Sequence, residues 1–181
     1  QTRFGYVNWE QPRANVLPAV HRIDVPAGAT MSVAVEGSAK AWGAYGLKAL
    51  DLPVFDPYSK QSHYFDIFNR GSAPFEYRIE SNQPWVVLSQ KNGKVTGEQR
   101  VTVKVDWAKV PAKPQPAVLT IVGPNDTRAV VNVPLSRPAL PKDARGFVET
   151  GGVVAIEAAN YARALAPEGR SWLTIPGHGR T

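Results

Sequence analysis

The chain has no cysteine, so disulfides, thiolate metal sites and cysteine nucleophiles are excluded from the outset. That absence says little about compartment. No apolar run approaches the roughly 20 residues of a membrane-spanning helix. Lysine and arginine never gather into a run, and no recognition-helix pattern occurs. The formal net charge of +6 therefore reads as a mildly basic, solvated surface, with no nucleic-acid and no membrane partner. The chain opens on Gln1-Thr2-Arg3 with neither an initiator methionine nor a signal-like start, and it reads as cut from something longer.

Catalytic signals are equally sparse. No Gly-x-Ser-x-Gly is present, and His21, His63 and His178 are scattered along the chain. Glycoside hydrolysis needs two carboxylates at a set separation across one bond. The 15 acidic residues lie mostly on polar strand faces or in turns, and no pair stands out. The Gly-His-Gly-Arg ending has neither the spacing nor the lysine of a phosphate loop. Asn125-Asp126-Thr127 matches an N-glycosylation sequon, a triplet that also arises by chance. No catalytic residue, cofactor or metal site is assigned.

What is present is β structure. From Pro84 to Trp107 two β-rich runs flank a polar stretch carrying Asn92-Gly93, expected to turn because both residues tolerate positive φ. In the second run Val101, Val103 and Val105 alternate with Thr102, Lys104 and Asp106, the period of a half-buried strand. Trp85 and Trp107 bracket the unit as large core or corner side chains.

Upstream, Ile23 and Val25 suggest a first strand, Pro26-Ala27-Gly28 a turn, and Met31 to Glu36 a second strand. Residues 38–62 form a long connection whose Leu52-Pro53-Val54-Phe55 piece is expected to pack onto the fold. Strands follow at Tyr64–Phe68, then at Phe75–Glu80 with Phe75, Tyr77 and Ile79 facing inward, and at Ala117–Val122 and Arg128–Val133. Short strands between Gly/Pro/Asn turns, without helical periodicity, give an all-β fold: an immunoglobulin-like β-sandwich over 20–135. The proline-stiffened Lys109–Pro116 stretch is a connection, not a central strand.

Residues 1–19 are an N-terminal linker or extension, and 136–146 form a second linker rich in proline and charge. Residues 147–181 read as the start of a second, truncated β-sandwich, with Gly151-Gly152 turning between two apolar runs. Ala158 to Leu165 reads alternatively as a turn of helix.

Aromatics carry the best binding signal, because sugar rings stack on flat apolar faces with polar rims. Trp42, with Tyr45 beside it in a glycine-rich loop, is the candidate platform. The competing reading has Trp42 covering the sandwich flank.

Several segments carry a resemblance: Tyr6-Val7-Asn8-Trp9-Glu10-Gln11-Pro12, Val35-Glu36-Gly37-Ser38, Leu52-Pro53-Val54-Phe55, Phe68-Asn69-Arg70-Gly71, Pro84-Trp85, Val105-Asp106-Trp107, Gly146-Phe147-Val148-Glu149 and Gly179-Arg180-Thr181. In this order the chain resembles the C-terminal part of glycoside hydrolase family 115, the xylan α-1,2-glucuronidases. The resemblance implies a linker, an immunoglobulin-like module and the opening of a terminal sandwich similar to carbohydrate-binding modules. It also implies a catalytic barrel upstream, so no catalytic residue transfers to this chain. Xylan or another plant polysaccharide and the upstream catalytic domain are the implied partners, and a homodimer is left open. The implied location is secreted or periplasmic, in a bacterium. Ile156-Glu157-Ala158-Ala159 is similar to the Glu-Ala-Glu opening of related sugar-binding sandwiches, where the acidic pair helps hold calcium. Ala159 replaces the second glutamate here. Three readings follow: a non-catalytic accessory region of a family 115 enzyme, an autonomous carbohydrate-binding module, and a structural spacer.

Overall fold

The computed structural model describes residues 20–44, 46–59, 61–137, 139–141, 143, 146–150, 152–154, 156, 161, 163–173 and 175. Strands β1 (Met31–Val35), β2 (Ala41–Trp42), β3 (Leu50–Asp51), β4 (His63–Asn69) and β5 (Phe75–Ser81) come first. β6 (Val86–Leu88), β7 (Asn92–Val95), β8 (Glu98–Val105), β9 (Ala117–Val122) and β10 (Arg128–Val133) follow. They form two sheets, ordered β2-β1-β4-β8-β6 and β3-β10-β9-β5-β7. Every pairing is antiparallel except β3 with β10.

Period-2 alternation explains both the strands and the core they enclose. On β5, Phe75, Tyr77 and Ile79 are buried while Glu76, Arg78 and Glu80 are exposed. On β8, Val101 and Val103 are fully buried. They meet Phe65 and Ile67 of β4, Leu119 and Ile121 of β9, and Ala129 and Val131 of β10 in one hydrophobic core. Trp85 lies in the same core, and Trp107 packs on its margin. The all-β sandwich expected from the sequence is present, built as two five-stranded sheets.

The long connection after β1 is tied down at several points. It contains β2 and β3, and Leu52 and Phe55 are buried while Val54 stays exposed. Phe55 bridges Leu135: its amide donates to the Pro134 carbonyl at 3.0 Å, and its carbonyl accepts from the Ser136 amide at 2.8 Å. At the far end of β4, Asn69 Oδ1 accepts from the Thr30 and Gly71 amides at 3.2 and 2.9 Å. Gly71 sits where an added Cβ would collide with the Gly28 carbonyl, so only glycine fits this turn without movement.

Two expectations are corrected. Asn92-Gly93 is not a turn. Both residues lie in β7, which pairs with β5 in the opposite sheet from β6 and β8. Gly93 is opposite Tyr77, and an added Cβ would lie 3.1 Å from the phenol ring, so the glycine admits an aromatic side chain and not a reversal of direction. The alternation at Ile23 and Val25 does not produce a strand either. Among the described residues no strand pairs with it, and the two side chains are 85% and 60% exposed.

Beyond residue 136 no named strand occurs among the described residues. Thr150 and Val153 exchange both backbone hydrogen bonds, at 2.9 and 3.0 Å, as an isolated antiparallel bridge. Val153, Ile156, Leu165, Trp172 and Leu173 are all exposed. The residues Glu157 to Asn160 of the calcium comparison and of the alternative helical turn lie outside the described residues, as do the extension 1–19 and His178.

Candidate functional site

Trp42 ends β2, a two-residue edge strand held against β1. Register decides where its side chain goes. Trp42 is opposite Val33, and Val33 is opposite Ile67, so all three share the inner face of their sheet. The indole accordingly packs against the core and is half-buried. Its backbone carbonyl accepts the Ser32 hydroxyl, which is how Ser32 comes to be satisfied while completely buried. Gly43 follows at φ +88, and its carbonyl accepts from Arg70 Nη1 at 3.3 Å. Trp42 is thus fixed by the ladder on one side and by the Arg70 contact one residue later. Tyr45 lies outside the described residues.

Three polar constellations were not anticipated from the sequence. Glu36 Oε2 lies 3.0 Å from His63 Nδ1 and accepts from the Tyr64 amide at 3.2 Å. The imidazole meets the Phe55 ring edge-on, with centroids 4.6 Å apart. His63 Nε2 is buried and has no hydrogen-bond partner. This arrangement braces β4 against the end of β1 and the Phe55 segment. The imidazole is too enclosed to meet a polymer.

On the outer face of the first sheet, Arg100 forms a fork with Asp66, Nε to Oδ1 at 2.8 Å and Nη2 to Oδ2 at 2.9 Å. The same guanidinium lies 3.8 Å above the centroid of Tyr64. Asp66 and Arg100 are directly opposite across the ladder, so pairing accounts for the contact. The Asp66 hydrogen bond raises the Arg100 pKa above its already high ordinary value.

Asp56 is the one buried carboxylate in the described core. Burial opposes its charge. The Ser59 and Tyr58 amides, at 2.9 and 2.8 Å, outweigh that effect together with the Ser59 hydroxyl and Gln61, and hold its pKa below the ordinary carboxylate value. It is a local brace for the connection before β4.

None of these arrangements sets two free carboxylates facing each other across a cleft. Among the described residues no group of three His, Asp or Glu side chains is placed to hold a metal ion. No helix of the described residues is long and apolar enough to cross a membrane.

No curated protein matches the chain. Several solved structures are similar to parts of it. The Bacteroides ovatus GH5 xyloglucanase in complex with a XXXG heptasaccharide is 23% identical with a TM-score of 0.38, over 61% of this chain and 20% of that one. The chain therefore spans only a small part of the xyloglucanase. WR4, a C. elegans MSP family member, is 10% identical with a TM-score of 0.35, over 49% of this chain and 93% of that one. The ASH / PapD-like domain of human CEP192 is 12% identical with a TM-score of 0.38, over 71% and 98%. Residues 146–181 match the family model of the glycosyl hydrolase family 115 C-terminal domain, a short stretch consistent with a C-terminal region of that family.

Proposed function

We propose that the chain is a non-catalytic accessory region of a family 115 glycoside hydrolase, a xylan α-1,2-(4-O-methyl)glucuronidase. Its role is to position xylan, or a neighbouring subunit, for a catalytic domain located elsewhere in the polypeptide. The observation that carries this reading is the match of residues 146–181 to the family 115 C-terminal domain, preceded by an all-β sandwich. In this reading the protein works outside the cytoplasm, secreted or periplasmic, where its polysaccharide is found. The sandwich 20–135, the linker 136–146 and the following segment act as separate units.

Within this reading the polysaccharide contact centres on the uncovered part of Trp42, with Tyr45 in support. An indole offers a large flat apolar area at little entropy cost. Affinity electrophoresis in glucuronoxylan gels tests the assignment. The Trp42→Ala variant loses retention while unfolding as cooperatively as the parent chain. Unchanged retention removes Trp42 from the contact.

One observation favours a second reading, the structural spacer. Trp42 shares the inner face with Val33 and packs on the core, as expected of a side chain that closes the sandwich edge. Under that reading Trp42→Ala lowers the melting temperature, and the parent chain is not retained by the polysaccharide at all.

A further inference from the structure

The outer face of the second sheet carries a cleft at its β7 edge, the opposite sheet from Trp42. β5 and β7 pair with Glu76 opposite Lys94, Tyr77 opposite Gly93 and Arg78 opposite Asn92. Successive side chains along a strand point to opposite faces. Tyr77 goes to the core and is only 3% exposed. Glu76, Arg78, Asn92 and Lys94 are left on the outer side, where they line a cleft of about 480 Å3 together with Val122 and Gly123. Val122 is buried and gives the cleft an apolar base.

The charges in this cleft are not used by the fold. Opposite charges directly across a ladder ordinarily attract and stabilise it. Among the described residues, Glu76 and Lys94 nevertheless find no ion pair or side-chain hydrogen bond, and the Asn92 side chain is equally unengaged. Arg78 turns away to Glu80, Nε to Oε1 at 3.1 Å. With Arg78 neutralised by Glu80, the remaining charges of Glu76 and Lys94 cancel.

The result is an electroneutral cleft holding a carboxylate acceptor, an ammonium donor and an amide that does both. Sugar hydroxyls are donor and acceptor at once, and such mixed groups satisfy them from both sides. An anion would face Glu76 and a cation Lys94. The volume falls within the roughly 300–1,000 Å3 of small-ligand sites.

We infer that this cleft binds an uncharged, hydroxyl-rich ligand, a short neutral stretch of polysaccharide, at a position separate from Trp42. The preference for a neutral polyol comes from the cleft. The choice of a saccharide among polyols rests on the accessory reading above.

The test is a 15N–1H NMR titration of the whole 181-residue chain with xylotetraose, repeated at high salt. Saturable shifts of the amides at 76–78 and 92–94, little changed by salt, are expected because no net charge is involved. The exposed double substitution Glu76→Met with Lys94→Met, which leaves the net charge unchanged, should weaken that binding by about tenfold or more, the scale of two lost hydrogen bonds. Cleft shifts that persist unchanged in the double variant would overturn the inference. Shifts confined to 41–44 would overturn it while leaving the Trp42 contact standing. Cleft shifts in a chain whose Trp42→Ala variant keeps full glucuronoxylan retention would uphold the cleft and reject Trp42. Absence of shifts at both places removes both.

Discussion

Val103 is the sharpest test of the strand phase on which the sandwich depends. It is fully buried on β8, opposite Leu88 of β6 and His63 of β4, with the exposed Lys104 as its chain neighbour. Replacing Val103 by aspartate forfeits about 1.5–3 kcal/mol of apolar burial. Opposite the new carboxyl is His63, whose Nδ1 is already taken by Glu36, and the rest of its surroundings are apolar, so the acid must stay protonated at neutral pH. Raising its pKa from about 3.9 to 7 costs about 1.4 kcal/mol per unit, or about 4 kcal/mol. The sum, about 6 kcal/mol, is comparable with the roughly 5–15 kcal/mol that holds an ordinary domain together. Urea unfolding followed by circular dichroism should show Val103→Asp unfolded or nearly so, with a melting temperature lower by more than about 20 °C. The adjacent control, Lys104→Asp, places the same side chain on the solvent face and should stay within about 0.5 kcal/mol of the parent. Equal effects of the two, or a Val103→Asp melting point within a degree of wild type, would show that the phase of β8 is wrong.

Three further outcomes follow from the same geometry. Gly71→Ala should loosen the 69–73 turn from residues 26–30, because the new Cβ meets the Gly28 carbonyl; hydrogen exchange should quicken at Arg70 and Ser72, whose amides donate to Thr30 and Pro26, and unchanged protection there would refute the close approach. Asp56 has a folded pKa below its unfolded value, so its stabilisation is complete above about pH 4 and is lost as pH falls through the folded pKa; Asp56→Asn should flatten the acid limb of a stability-against-pH curve, and an unaltered limb would refute the role. Limited trypsin digestion should cut within 136–146, after Lys142 or Arg145 because Pro138 blocks cleavage after Arg137, and leave the preceding sandwich intact, whereas cleavage inside 63–134 would mean that no separable unit precedes the linker.

The fold was legible wherever alternation coincided with pairing. β5 shows it best: six residues alternate strictly, and each falls on the face the pattern assigns. Val101 and Val103 of β8 behave the same way. The errors have physical causes. Ile23 and Val25 alternate but have no partner strand among the described residues, and alternation without a ladder makes no sheet. Asn92-Gly93 has turn chemistry, yet β7 uses the glycine to admit the Tyr77 ring. β2 and β3, at two residues each, are too short to carry any period and exist only through β1 and β10.

The candidate site was less legible for the same reason. That Trp42 faces inward follows from its register with Val33, which its glycine-rich neighbours do not encode. The Glu36–His63 and Asp66–Arg100 contacts join residues 27 and 34 positions apart. The cleft of Glu76, Arg78, Asn92 and Lys94 becomes visible only once β7 is recognised as a strand beside β5.

The central claim is that this chain assists a glycoside hydrolase without containing its catalytic machinery. The most direct measurement is release of 4-O-methylglucuronic acid from glucuronoxylan by the purified 181-residue protein, assayed beside a buffer blank. The account predicts release no greater than the blank. Sustained release that scales with the amount of this protein would contradict it and place a catalytic pair within these residues.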